Sequence, residues 1–236
     1  MPSSFTITYS FSFKDGTLKK IPIQLDEKSL ALITTNKSNP HIWSDIQLHR
    51  CKSCSLDPNE YPSCMIAAPL GEIFEVFQEY KSYEEVSVEV VDDKRNYYKE
   101  TSLQVGLSSL VGIVMAACGC PVLAPLRPMI RHHLPFATTK ETEFRMVSMY
   151  LFAQYLRQQN GEQPDWSLDG LQDIYDKVRE INNSFARRIC TANSNDAGIN
   201  AITILDCFAQ SIPFAINKTL LQDHKNYFFT YLKLTD

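Results

Sequence analysis

Thr101–Leu126 carries no formal charge. Its centre, Leu110-Val111-Gly112-Ile113-Val114-Met115-Ala116-Ala117, is strongly apolar. A helix with so little polar surface must be covered on most sides, so the rest of the chain has to wrap it. A bilayer could also cover it. However, Gln104, Ser108 and Ser109 interrupt the run and Gly119-Cys120-Pro121 breaks it, leaving an apolar core too short to span. The expectation is a buried helix over 101–118, with Gly119 as its C-cap and Pro121 opening a new segment.

The pattern changes at this helix. Before it, Phe5–Phe13 alternates apolar and polar residues, as a half-buried strand does. Lys14-Asp15-Gly16-Thr17 is a hairpin signal, and Leu18–Leu25 returns with Ile21, Ile23 and Leu25 on one face. Pro22 points the other way, which suggests an edge strand or a bulge. Ser29–Thr35 is a short element of undetermined type, 36–40 a loop, and Ile42–Leu48 reads as a strand. Met65–Tyr80 is helical, with Ile66, Leu70, Ile73, Phe74 and Phe77 in a stripe. Glu85–Val91 alternates again, Asp92-Asp93-Lys94 turns, and Arg95–Glu100 is its antiparallel mate.

After residue 101 the expected elements are helices: Pro121–His133, Lys140–Gln159 behind an N-capping Thr139, Leu168–Thr191, Asp196–Gln210 and Thr219–Leu234. The fold class is therefore α+β. Residues 1–100 form an antiparallel sheet with a cysteine insertion and one helix. Residues 101–236 form a helical bundle packed on that sheet as one compact unit.

The insertion is His49-Arg50-Cys51-Lys52-Ser53-Cys54, closed by Cys64 after a turn-rich loop. Two cysteines at this spacing can aim both sulfurs into one turn and hold a tetrahedral ion, as in zinc knuckles. Cys64 precedes a helix start, where exposed amides favour a thiolate. A structural zinc site needs a fourth ligand. His49 shares a strand face with Cys51, and Cys120 is the main alternative; His41 and Cys118 are further candidates. An iron–sulfur cluster or a redox thiol pair could use the same cysteines. Yet Ser55-Leu56-Asp57-Pro58 follows the pair as a turn, where a thioredoxin-like motif would open a helix. Cysteines packed without metal are the plainer alternative, above all for Cys118 and Cys120 at the end of the buried helix.

Hydrophobic residues make up 44% of the chain and charged residues 21%, so it is globular. A net charge of −4 with scattered Lys and Arg argues against generic nucleic-acid binding. The N-terminus lacks the basic and apolar regions of a secretory signal, which makes a reducing cytoplasm the expected compartment and disulfides unexpected.

Several stretches together are similar to one family. They are Cys118-Gly119-Cys120-Pro121, Leu126-Arg127-Pro128-Met129, His133-Leu134-Pro135-Phe136-Ala137 with Glu141-Thr142, Tyr150–Tyr155, and Asp196-Ala197 with Asn200-Ala201. They resemble a bacterial family of uncharacterised proteins of about this length, a domain of unknown function. The resemblance covers most of the chain, including the cysteine turn. It implies a bacterial cytoplasmic protein and brings no activity, substrate or catalytic residue.

In the helical half, His133, Glu141, Arg145 and Asp196 would do acid–base work if they converged on one pocket. Each also has a structural explanation: Glu141 and Arg145 as an i,i+4 pair, Asp196 as a helix cap. Nucleotide-binding glycine loops, HExxH, GxSxG and Glu-x-x-His pairs are absent. The leading functional expectation is a zinc-stabilised protein that binds a protein partner or a small ligand. An enzyme with a polar pocket in the helical half, and a thiol or iron–sulfur redox protein, are the alternatives.

Overall fold

The computed structural model describes residues 3–33, 44–191, 196–214 and 224–232. Four antiparallel strands, β1 (Ser4–Phe13), β2 (Leu18–Asp26), β3 (Glu85–Val91) and β4 (Asn96–Ser102), form one sheet in the order β2-β1-β3-β4. The alternation read in the sequence sets the register. Tyr9 lies opposite Val90, Phe11 opposite Val88 and Phe13 opposite Val86, and all six are buried. Pro22 lies in β2, an edge strand, where its missing N–H breaks no ladder.

The helices are α1 (Ala67–Val76), α2 (Leu103–Ala117), α3 (Pro128–Arg131), α4 (Thr139–Gln159), α5 (Asp169–Thr191) and α6 (Asp196–Phe214). The uncharged segment is α2, and eleven of its residues are buried, from Leu103 to Ala117. It lies against the sheet through Gly106, where a Cβ would fall 2.8 Å from Val88 Cγ2 and 2.9 Å from Phe11 Cε1. Its other side packs on α6, which in turn packs on α5. One continuous core runs from the sheet through α2 into the bundle. No helix among the described residues is long and apolar enough to cross a membrane.

Three expectations change. Of the strand expected over Ile42–Leu48, 42–43 lie outside the described residues and 44–48 form a short turn, because Asp45 Oδ1 accepts from the Gln47 N–H at 2.8 Å and curls the chain. Only Asp45 bridges, to Ser63. The segment 121–133 is a 3-10 turn at Ala124–Leu126 followed by the short α3, each with a proline in its first turn. In place of one terminal helix over 219–234, residues Asn226–Phe228 form a 3-10 turn and Phe229–Leu232 a single helical turn; 219–223 and 233–234 lie outside the described residues.

Candidate functional sites: a cysteine cluster and an apolar pocket

The cysteine turn is held by one stripe of α5. The Ser53 N–H donates to Glu180 Oε1 at 3.1 Å, Ser184 hydrogen-bonds the Cys51 thiol, buried Arg188 donates to the Asp45 carbonyl, and Thr191 Oγ1 pairs with His49 Nε2 at 2.8 Å. Spacings of four, four and three place these α5 residues on one face. Within the turn, the Cys54 N–H donates to the Cys51 carbonyl at 3.1 Å. Arg50 Nη2 donates to the carbonyls of Cys54, at 3.2 Å, and Leu56, at 2.7 Å.

The other cysteines meet this turn from the end of α2. Gly119 has the positive φ of a helix C-cap, and a Cβ there would lie 3.1 Å from Met65 Cε, so the 119–120 corner abuts the chain at Cys64. Cys51, Cys54, Cys64 and Cys120 are all half-buried free thiols. Cys64 raises the thiol pKa of Cys51 and Cys120 electrostatically, and Cys54 also raises that of Cys120. Burial is the larger cause in each case, and it pushes Cys51 up to about 11. The Cys118 thiol donates to the Met115 carbonyl at 3.1 Å and is pushed up by burial to about 12.

Four thiolates would suit zinc by donor type. Among the described residues, however, no three His, Cys, Asp or Glu side chains already form a metal-holding group. The thiols are neighbours without forming a closed coordination sphere. His49 is turned onto Thr191 in a left-handed conformation, with φ +46°. His41 lies outside the described residues.

The second site is a cavity of about 430 Å³ between α2, α4, α5, α6 and the 121–137 segment, within the range of small-molecule pockets. Its wall is mainly aliphatic, with Ile113, Leu126 and Leu205 among the lining side chains. His133, Arg145 and Asn182 add polar atoms, and Lys99 brings a second cation. Behind the wall, Tyr9 OH bonds to His133 Nε2 at 2.5 Å and to Ser109 Oγ at 2.9 Å; the Phe136 N–H donates to that same Oγ at 3.3 Å. Burial, helped by the Arg145 charge, lowers the His133 pKa to about 3, so the imidazole is neutral at pH 7.

The structure places the four sequence-derived acid–base candidates as follows. His133 and Arg145 line the cavity together, and Arg145 Nη2 donates to the carbonyls of Met129, at 3.2 Å, and His132, at 2.6 Å. Glu141 is close enough to act on Arg145 electrostatically, but its Oε2 accepts from the Thr138 N–H at 2.7 Å and Oγ1 at 2.8 Å in a capping box. Thr138, one residue before the expected Thr139, is the cap. Asp196 lies elsewhere: Oδ2 accepts from the Ser82 N–H at 2.7 Å, docking the start of α6 on the turn before β3.

Sequence reasoning passed over Asn182, which is 2% exposed with no hydrogen-bond partner for Nδ2 among the described residues. Its signal was an amide inside the apolar stripe of Val178, Ile181 and Phe185.

A family described as a domain of unknown function (DUF6901) matches residues 7–229, and the chain belongs to it. No curated protein and no solved structure matches the chain.

Proposed function

We propose that this protein binds a small, mostly apolar molecule in the cavity between its helices. Asn182 carries the reading. A buried amide donor without a partner costs roughly 1–3 kcal/mol, and it lines a cavity of about 430 Å³ where a ligand acceptor could satisfy it. The neutral His133 and the aliphatic wall fit an apolar guest better than a highly charged one. The direct test is saturable binding of the neutral fluorophore N-phenyl-1-naphthylamine. Val105→Trp, which fills the cavity from α2, should abolish it in a folded protein, and the milder Leu205→Phe should weaken it. Absence of saturable binding, or binding unchanged in both folded variants, would overturn the proposal.

The cysteine cluster supports a second role for the chain, as a structural zinc protein. The contact of Met65 with Gly119 favours Cys120 over His49 as the fourth ligand beside Cys51, Cys54 and Cys64. Zinc would tie the cysteine turn to the end of α2, and coordination would draw the four thiols together and deprotonate them. The raised thiol pKa values of Cys51 and Cys120 run against a reactive redox role for either, which needs a stabilised thiolate. Metal analysis of protein purified without chelator should give one zinc per chain, lost in Cys54→Ser and Cys120→Ser and retained in His49→Ala. Full zinc in Cys120→Ser would remove that ligand.

A further inference from the structure

The charges that line the cavity, among the described residues, have one sign. Arg145 and Lys99 line it, and no Asp or Glu does among the described residues. Arg145 uses Nη2 on two backbone carbonyls, which anchor the guanidinium without neutralising it. It has no carboxylate within ion-pair distance among the described residues. Lys99 Nζ stands 5.9 Å from the centre of the Phe136 ring, another lining side chain, so the ammonium is held over the cavity rim. His133, being neutral, adds no third charge.

The unpartnered amide lies deeper along the same wall. Tyr175, Val178 and Asn182 line the cavity from one face of α5. Arg145 is close enough to Tyr175 for the two to interact electrostatically. Asn182 is seven residues further on, about 10 Å at 1.5 Å per residue. The wall thus runs from a cationic end, past the aliphatic Val178, to the buried amide donor of Asn182.

We infer that the ligand is an organic acid with an apolar body, its carboxylate held by Arg145 and Lys99 and its body directed toward Asn182. This deepens the small-ligand reading and rests on it. An exposed ammonium alone would be a weak anchor, but a half-buried guanidinium in an apolar wall attracts a carboxylate more strongly than it would in water. An amine of the same shape would meet two like charges, while the Glu141 carboxylate that feels both cations does not line the cavity and is engaged by Thr138.

The test is calorimetric titration of the full chain with decanoate and 2-naphthoate, each beside its uncharged alcohol, decan-1-ol and 2-naphthylmethanol, and with decylamine. At least one acid should bind tenfold or more tightly than its alcohol, and decylamine should not bind. Lys99→Gln, an exposed change, should cut the acid's advantage several-fold. Arg145→Gln should remove it, and if that variant fails to fold, Lys99→Gln together with the salt dependence of acid binding decides the matter. Alcohols binding as tightly as acids would overturn the acid while leaving the small-ligand proposal standing. Failure of all five probes would overturn both.

Discussion

Tyr9 in β1 and His133 after α3 are joined by a 2.5 Å hydrogen bond between residues 124 positions apart. The bond runs from the sheet to the wall of the helical cavity. It places a histidine where burial keeps it neutral, and this has a thermodynamic consequence. Its folded pKa is about 3, against an ordinary value of 6.5. Above pH 6.5 neither the folded nor the unfolded chain protonates this residue, and stability does not depend on it. As pH falls below 6.5 the unfolded chain takes up a proton that the folded one refuses, so stability declines by about 1.4 kcal/mol per pH unit until the folded pKa is reached. Between pH 7 and pH 5 the wild type should lose about 2 kcal/mol more than His133→Gln in urea unfolding. Parallel losses in the two proteins would mean that His133 is not held neutral.

Gly106 sets how closely α2 approaches the sheet. Alanine there would gain about 1 kcal/mol of helix propensity. Its methyl would also fall 2.8 Å from Val88 Cγ2 and 2.9 Å from Phe11 Cε1, both in the packed core. Overpacking of this kind costs about 1–3 kcal/mol, so the contact should prevail and Gly106→Ala should lower the urea midpoint. A raised midpoint would show that the sheet yields at little cost.

Asp165 fastens α4 to the start of α5. Its carboxylate accepts from the Tyr150 hydroxyl at 2.7 Å, the Gly170 N–H at 2.8 Å, and Ser167 N–H at 2.9 Å and Oγ at 2.5 Å. Those donors, Ser167 first, hold its pKa well below the ordinary 3.8. Its stabilisation is therefore complete above pH 3.8 and fades as pH drops below that value. Asp165→Asn keeps one acceptor oxygen and loses the other, and by the scale of helix caps it should cost about 1–2 kcal/mol at pH 7. Thermal melts at pH 7 that coincide for the two proteins would sink this role.

The strands were legible because period-two alternation and burial agree in them. Phe5–Phe13 and Glu85–Val91 have the same spacing in sequence as in the sheet. The uncharged run was legible as α2 for a similar reason, since so apolar a helix has no place but the centre. Residues 44–48 misled because Ile46 and Leu48 look strand-like, while the Asp45 side chain competes for the backbone and turns it. At the cavity, His133 and Arg145 were legible as polar residues near one another in sequence. Tyr9 and Ser109 were not, because their roles depend on a contact between β1 and α2 that no local pattern encodes. Asn182 could have been found by asking why an amide interrupts the apolar face of α5.

The cysteine turn and the cavity share two supports, which couples them. One face of α5 holds the turn through Glu180, Ser184 and Thr191, while Tyr175, Val178 and Asn182 on the same helix line the cavity. The chain leaving Cys120 becomes the cavity wall within a few residues, at Leu123 and Leu126. If zinc fixes Cys120 to the turn, it also fixes the start of that wall. Cys120→Ser should then weaken N-phenyl-1-naphthylamine binding several-fold, although residue 120 does not line the cavity, and chelation of the wild type should reproduce the loss. His49→Ala, which removes only the contact to Thr191, should leave both zinc content and binding near wild type. Unchanged binding in zinc-free, folded protein would mean that α5 alone positions the wall and that the two sites act independently.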